Sequence, residues 1–281
     1  MVTQQCIVCG SFTMRLIAFD YGEYHRCRVC SSVSLMSSAV ESGFYGPEYL
    51  AYESSSTGVL GKRKTFSYYL KLAEEYLNLD ASRVLDVGCG AGVLLDVATA
   101  KGWEAVGVEI SDHARRIVSE RGHRVFRSVD EALLVDQKKS GYNIVCMLDV
   151  LEHVVSPLEF LNVVGRGVSP GGVLVIVTPV ADSLSRSVLR RHWPHYKREH
   201  IVFMHSKVLV GALASSGFMV RHMQGNRKYV AASYLLKHME VFSGNAFGVL
   251  SAWVGNLLKL WKVDPILQMP SGERLFIAVK S

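Results

Sequence analysis

From Arg83 to Val177, short apolar runs alternate with segments whose apolar residues recur every three or four positions. The runs Arg83–Val87, Glu104–Val108, His123–Phe126, Tyr142–Leu148 and Gly172–Val177 have the length and β-branched content of strands. Between them, Val93–Lys101, Ser111–Arg121 and Pro157–Arg166 have helical periodicity, and Ser111 is a good capping residue. Strands apolar on both faces, alternating with helices, predict an α/β fold: a doubly wound, mostly parallel sheet.

The flanks read differently. "GFYGPEYLAYESSSTG" is rich in tyrosine and loop formers, and Tyr45, Tyr49 and Tyr52 either close over a ligand or simply pack. "KRKTFSYYLKLAEEYLNL" then predicts an amphipathic helix over 62–79. Near the other end, Phe247, Leu250, Val254, Leu257 and Trp261 form one helical stripe, too apolar for a face exposed to water alone. The segment 245–261 therefore suits packing on its own sheet, a substrate lid, a homodimer seam or a peripheral membrane contact, and Arg227, Lys228, Lys237 and Lys262 would suit an anionic bilayer.

At 281 residues, with 49% hydrophobic and 20% charged residues, the chain can bury one large core and carry one small module. A net charge of +6 points to an acidic partner, which nucleic acid, an anionic lipid surface or a phosphorylated small molecule would each satisfy. The N-terminus shows neither a basic nor an apolar leader segment, and no stretch reaches the length of a membrane span. The expectation is a cytoplasmic protein with reduced thiols, and peripheral membrane contact is the second reading.

In that setting Cys6, Cys9, Cys27 and Cys30 matter. Two CxxC pairs separated by seventeen residues fit a tetrahedral zinc site, although two disulfides would use the same cysteines. Four thiolates leave no open position for a catalytic water, so the expected Zn2+ is structural. The expected division is a zinc ribbon over 1–36, a tyrosine-rich linker and helix over 37–80, and a main domain over 81–281 with a helical insertion at 226–268.

"RVLDVGCGAG" carries the cofactor question. A parallel sheet receives its ligand at the carboxyl ends of the strands, beside the first turn. The dinucleotide pattern G-x-G-x-x-G is met at Gly88 and Gly90, but its third position is Val93. Asp86 stands where strand meets loop, and a carboxylate there opposes a pyrophosphate. It attracts a cofactor that has no phosphates and carries an ammonium and a sulfonium, which is S-adenosylmethionine. Glu109, at the end of the next strand, can accept hydrogen bonds from both ribose hydroxyls.

"VLDVGCGAG", "VGVEIS", "YNIVCMLDVLEHVVSPLEFL" and "GRGVSPGGVLVIVTP" together resemble the ordered motifs of class I S-adenosylmethionine-dependent methyltransferases, in the branch of ubiquinone-type and small-molecule enzymes. The resemblance runs from about Arg83 to Phe218. It implies a seven-stranded Rossmann-like sheet whose last strands lie near Met219–Gln224 and Leu275–Val279, the final one antiparallel. It also implies that Asp86, Gly88 and Gly90 line the methionine end of the cofactor, that Glu109 meets the ribose, that Ile110 flanks the adenine and that Asp130 lies near the adenine amino group. The cysteines followed by a tyrosine-rich segment further resemble sugar C-methyltransferases.

Methyl transfer to a hydroxyl needs a base, commonly histidine. Glu152 and His153 lie just beyond the fourth strand, and in the resembling family this pair faces the substrate cavity. His200 is the second candidate. It lies within 181–207, where six Lys/Arg oppose two acids and Trp193 and Tyr196 interleave with the charges. No close carboxylate–histidine cluster is expected, and hence no catalytic metal. The expected activity is methylation of a small-molecule or glycan acceptor, lipid-linked and nucleotide-linked ones included, most simply at a hydroxyl. A zinc-ribbon RNA methyltransferase is the alternative, weakened because residues 1–38 hold three arginines against two acids. A scaffold without activity is the third reading, and the intact cofactor motifs oppose it.

Overall fold

A computed structural model describes residues 5–36, 56–77, 83–136, 141–232 and 264–281. Strands β1 (Thr13–Phe19), β2 (Gly22–Cys27) and β3 (Val33–Met36) form a small antiparallel sheet at the N-terminus. Helix α1 (Ser56–Glu74) begins six residues before Lys62, the predicted start. It packs Tyr69, Leu70 and Ala73 onto the main sheet.

The main domain then alternates as the periodicity requires. β4 (Arg83–Val87), α2 (Val93–Ala100), β5 (Glu104–Val108), α3 (Asp112–Glu120), β6 (Arg124–Phe126), α4 (Val129–Val135), β7 (Tyr142–Leu148), α5 (Pro157–Gly167) and β8 (Val168–Pro179) follow one another. After β8 come α6 (Leu184–Leu189), the short β9 (Val202–Phe203), α7 (Ser206–Ser215), β10 (Phe218–Ala231) and β11 (Ile266–Lys280). The seven-stranded order is β10-β11-β8-β7-β4-β5-β6, parallel except at β11, which is antiparallel to β10 and β8. The α/β, doubly wound architecture expected from the sequence is thus the one observed.

Side chains alternate across this sheet because a strand's period is two. Leu85, Val87, Val145 and Met147 face one core with Leu161, Val164 and Leu209. Val84, Ile144 and Cys146 face the other core with α1 and α2. Strand order reverses at β4, where β5 and β6 continue to one side and β7 and β8 to the other. The crevice at the carboxyl ends of β4 and β7 is therefore the place where such a sheet receives a ligand.

Two boundaries differ from the sequence reading. β10 and β11 are longer than Met219–Gln224 and Leu275–Val279, and Asn226–Ala231 and Ile266–Gln268 are strand where a helical insertion was expected to have begun or not yet ended. Only Glu273–Val279 of β11 pairs with β8, so Ile266–Pro270 pairs with Arg227–Ala231 alone and runs past the sheet as a two-stranded arm. Pro270 and Gly272 fall within β11. They are accommodated at a bulge between Gly225 and Arg227, a place where a ladder tolerates proline. The apolar stripe at 245–261 and the tyrosines at 45, 49 and 52 lie outside the described residues. Among the described residues, no helix is long and apolar enough to cross a membrane.

The small sheet is not free-standing. β3 pairs antiparallel with β9, Val33 opposite Phe203 and Ser34 opposite Val202. Tyr24, Val33 and Leu35 share a buried cluster with Ala181, Trp193 and Phe203.

Candidate active site

Asp86 lies in the last turn of β4, buried, and the glycine loop follows at once. Gly88, Gly90 and Gly92 have φ of 76°, 50° and 76°, the left-handed region that L side chains avoid. A Cβ on Gly88 would stand 2.5 Å from Val150 Cγ2, so the chain passes close to the segment after β7. Glu109 closes the loop from the other side. Its Oε2 accepts from Gly90 N at 2.9 Å and its Oε1 from Ser111 N at 2.9 Å. Each carboxylate oxygen retains a second lone pair, which suits a diol. Ile110 is 63% exposed beside it, a large apolar side chain at the crevice where a flat ring can lie. Asp86, Gly88, Gly90, Glu109 and Ile110 thus come together, and the donor set fits a cationic cofactor that carries a ribose. Asp130 stands apart. Its carboxylate, 70% exposed, is bonded to Arg166 at 2.8 Å, so the structure gives it a surface ion pair where contact with adenine was expected.

At the end of β7 the backbone turns sharply. Asp149 has φ 59°, and Leu151–His153 form a single 3-10 turn. Glu152 is buried and accepts from Thr178 Oγ1 at 3.0 Å. Burial, then the charge of Asp149, pushes its carboxyl pKa well above the ordinary range. His153 donates from Nδ1 to the carbonyl of Glu199 at 2.9 Å, and His200 donates from Nδ1 to the carbonyl of His195 at 2.8 Å. Both donations leave the lone pair on Nε2. The two rings meet edge to face, 4.8 Å between centroids. Burial lowers the pKa of His153, and burial together with His153 lowers that of His200 well below the ordinary value. Both are neutral at pH 7.

The structure brings Glu152, His153 and His200 together, which corrects the expectation of no carboxylate–histidine cluster. Ligand atoms of these three residues lie within 4.8 Å of one another, a carboxylate–histidine cluster suited to a proton or a divalent cation. The sequence hid it because Ile201 N donates to Glu152 O at 2.7 Å, a contact between distant segments that no local motif records.

A polar network stands beside the cluster, and it corrects the reading of Lys228 as a cation for an anionic bilayer, because two carboxylates claim its ammonium. Lys228 Nζ bridges Asp149 Oδ2 at 2.6 Å and Glu273 Oε1 at 2.8 Å. Asn226 donates to Glu273 and Ser271 and accepts from Tyr69. Although burial opposes its charge, Lys228 is held protonated by the two carboxylates. Although burial opposes ionisation of Asp149, Lys228 holds that carboxyl down at about 2. The bulge in β10–β11 makes this possible, because it turns Ser271–Glu273 toward Asn226. The only local signal was the aspartate of "LDVLEH".

The four N-terminal cysteines also converge. Cys6 Sγ lies 3.6 Å from Cys30 Sγ, and Cys9 Sγ lies 3.5 Å from Cys27 Sγ. A disulfide would be about 2.05 Å, whereas the edge of a ZnS4 tetrahedron with Zn–S near 2.3 Å is about 3.8 Å. Val8 N and Val29 N each point at a sulfur from 3.4 Å, donors that favour thiolate. The residues fit a structural zinc.

Fold and site together define a Rossmann-like domain whose strand ends accept a cofactor bearing a ribose and positive charge, beside a neutral histidine pair. The family model described as "Methyltransferase domain" matches residues 61–223, and the chain belongs to that family. Among curated relatives, the ubiquinone biosynthesis O-methyltransferase of Dechloromonas aromatica is 31% identical over 110 residues, 37% of this chain and 47% of the relative. That of Leptothrix cholodnii is 25% identical over 160 residues, 52% of this chain and 68% of the relative. The first match thus spans about half the length of its curated relative. Among solved structures, a SAM-dependent methyltransferase from Archaeoglobus fulgidus superposes with TM-score 0.52 and 22% identity, covering 84% of this chain and 100% of that one. The plantazolicin methyltransferase BamL, solved with SAH, superposes with TM-score 0.51 and 14% identity, covering 83% and 89%. These two likenesses are of fold.

Proposed function

We propose that this protein transfers a methyl group from S-adenosylmethionine to a hydroxyl of a small-molecule or glycan acceptor, with His153 as the general base and a zinc-bound ribbon over 1–36 as a structural module. The observation that carries the reading is the His153 Nδ1 bond to Glu199 O, which fixes the ring's orientation just past the end of β7 and favours the tautomer whose Nε2 is basic. The curated relatives are named O-methyltransferases, which supports an oxygen acceptor.

The bound donor supplies an electrophilic methyl carbon on sulfur. Gly88 and Gly90 admit it closely, Asp86 faces its positive end, and Glu109 orients its ribose while bracing the loop. The acceptor oxygen forms the new bond to carbon, the carbon–sulfur bond breaks with its electron pair going to sulfur, and the hydroxyl proton passes to His153 Nε2. His200, 5% exposed, backs His153 and does not compete for solvent. Cys6, Cys9, Cys27 and Cys30 would hold the zinc.

Incubation with methyl-labelled S-adenosylmethionine and separate catechol, sugar and RNA acceptors tests the reading. Label on a hydroxyl of the small acceptors, at least ~100-fold slower with His153→Ala, is expected. Label on RNA alone, or on carbon, would contradict it. Full activity of His153→Ala would remove His153 as the base.

A further inference from the structure

The carbonyl that orients His153 belongs to a turn that the N-terminal sheet grips at both ends. Lys197, Arg198, Glu199 and His200 form that turn, closed by His200 N donating to Lys197 O at 3.1 Å. The hydroxyl of Tyr24, on β2, lies 2.7 Å from Lys197 O and 2.9 Å from His200 O, and its one proton is shared between them. Glu199 O, between these two carbonyls in the chain, is the one that accepts from His153.

Tyr24 is itself fixed. It is fully buried, and its ring lies 4.8 Å from that of Tyr196 and 5.4 Å from that of Phe203. Burial pushes its phenol pKa far up, so it remains a donor across the working range of pH. The same sheet reaches the turn by a second route. Leu35 N donates to Ile201 O at 2.8 Å, and Ile201 N donates in turn to Glu152 O at 2.7 Å. β2 therefore bears on the turn that orients the base, and β3, through Ile201, on Glu152 beside it.

We propose that Tyr24 is a positioning residue, whose hydroxyl clamps both ends of the 197–200 turn so that Glu199 O holds His153 in its Nδ1–H tautomer. The N-terminal sheet is then a working part of the transfer site, not a separable recruitment module. The inference rests on reading His153 as the base. Its physical content is tautomer control: a neutral histidine without a fixed partner divides between its two tautomers, and only one of them presents a lone pair at Nε2.

Tyr24→Phe in the full, metal-loaded chain is the test, because it keeps the ring and its packing and removes only the hydroxyl. Histidine ring nitrogen shifts, with His153 assigned by its loss in His153→Ala, read the tautomer directly and need no acceptor. In Tyr24→Phe the Nδ1–H form of His153 is expected to lose population to the Nε2–H form. Affinity for S-adenosylhomocysteine should stay within about twofold, and turnover with a labelled acceptor should fall roughly tenfold or more. Tyr76→Phe, which removes a hydroxyl that meets His222 and neither carbonyl, is the control and should match the parent in all three. An unchanged tautomer in Tyr24→Phe would overturn the proposal, as would equal losses of cofactor affinity and turnover, which mark Tyr24 as merely structural. Full turnover of His153→Ala would instead remove the base reading, whereas an inactive His153→Ala beside a fully active Tyr24→Phe would remove Tyr24 alone.

Discussion

The carboxylate of Glu109 accepts the backbone N–H of Gly90 at 2.9 Å, so the acid at the end of β5 shapes the loop that follows β4. In the proposed complex Glu109 has two tasks, holding the loop and meeting the ribose. Glu109→Ala should weaken S-adenosylhomocysteine binding by about 1–3 kcal/mol through lost charge-assisted hydrogen bonds. Glu109→Gln retains an acceptor oxygen and should lose less. Calorimetric titration of both variants checks the order. Equal affinity in Glu109→Ala and the parent would remove Glu109 from the site.

Gly88→Ala makes a different demand. The substitution meets both a φ of 76° and a Val150 methyl 2.5 Å from the new carbon, and Val150 is a stiff, β-branched neighbour. Cofactor affinity should fall at least about tenfold, with a melting temperature several degrees lower. Adding Val150→Ala should recover part of the affinity and not all, because the strain at φ remains. Full recovery would show that contact alone disfavours a side chain there.

Much of this site was legible because strand and helix periods are local. β4, β5 and β7 are read from runs of five to seven residues, and the loop after β4 announces itself by its glycines. The residues that complete the site are distant in sequence. β9 is only two residues long, and its partner β3 lies some 170 positions earlier, so no pattern around Val202 marks it as a strand. Lys228 and Glu273 meet Asp149 because of a bulge, and a bulge shifts register in a way that alternation along one strand does not record. For Asp130 the sequence showed a position after β6 but not its partner, Arg166 on a neighbouring helix, which pairs with its carboxylate.

Zinc is tested by metal content and by unfolding. One Zn2+ per chain is expected in protein purified without added metal, lost in Cys6→Ser and Cys27→Ser. Burial pushes the free Cys6 thiol up to about 12, so metal binding there must release a proton and should weaken as pH falls. A folded preparation free of metal would contradict the assignment.

The histidines give a pH dependence whose sign follows from their environment. Burial places the folded pKa of His153 and His200 below the unfolded value of 6.5, so the neutral base persists below that pH. The acid limb of kcat/KM is expected below pH 6.5. For stability, the unfolded chain binds more protons than the folded one as pH drops past 6.5, so the contribution present above that value is lost as pH falls through the folded pKa values. Glu152 has the opposite sign, because its raised folded pKa gives stability that is lost as pH rises through it. Urea midpoints across pH 5–8 for the parent and for His200→Ala separate the two. The variant should show the shallower fall below 6.5.

The central claim is that the loop after β4 receives a sulfonium methyl donor and not a dinucleotide. Calorimetric titration of the metal-loaded chain with S-adenosylmethionine and, separately, with NAD tests it most directly. One equivalent of S-adenosylmethionine should bind, with affinity reduced by about 1–3 kcal/mol in Asp86→Ala, and NAD should give no heat of binding. Saturable binding of NAD together with none of S-adenosylmethionine would contradict the account.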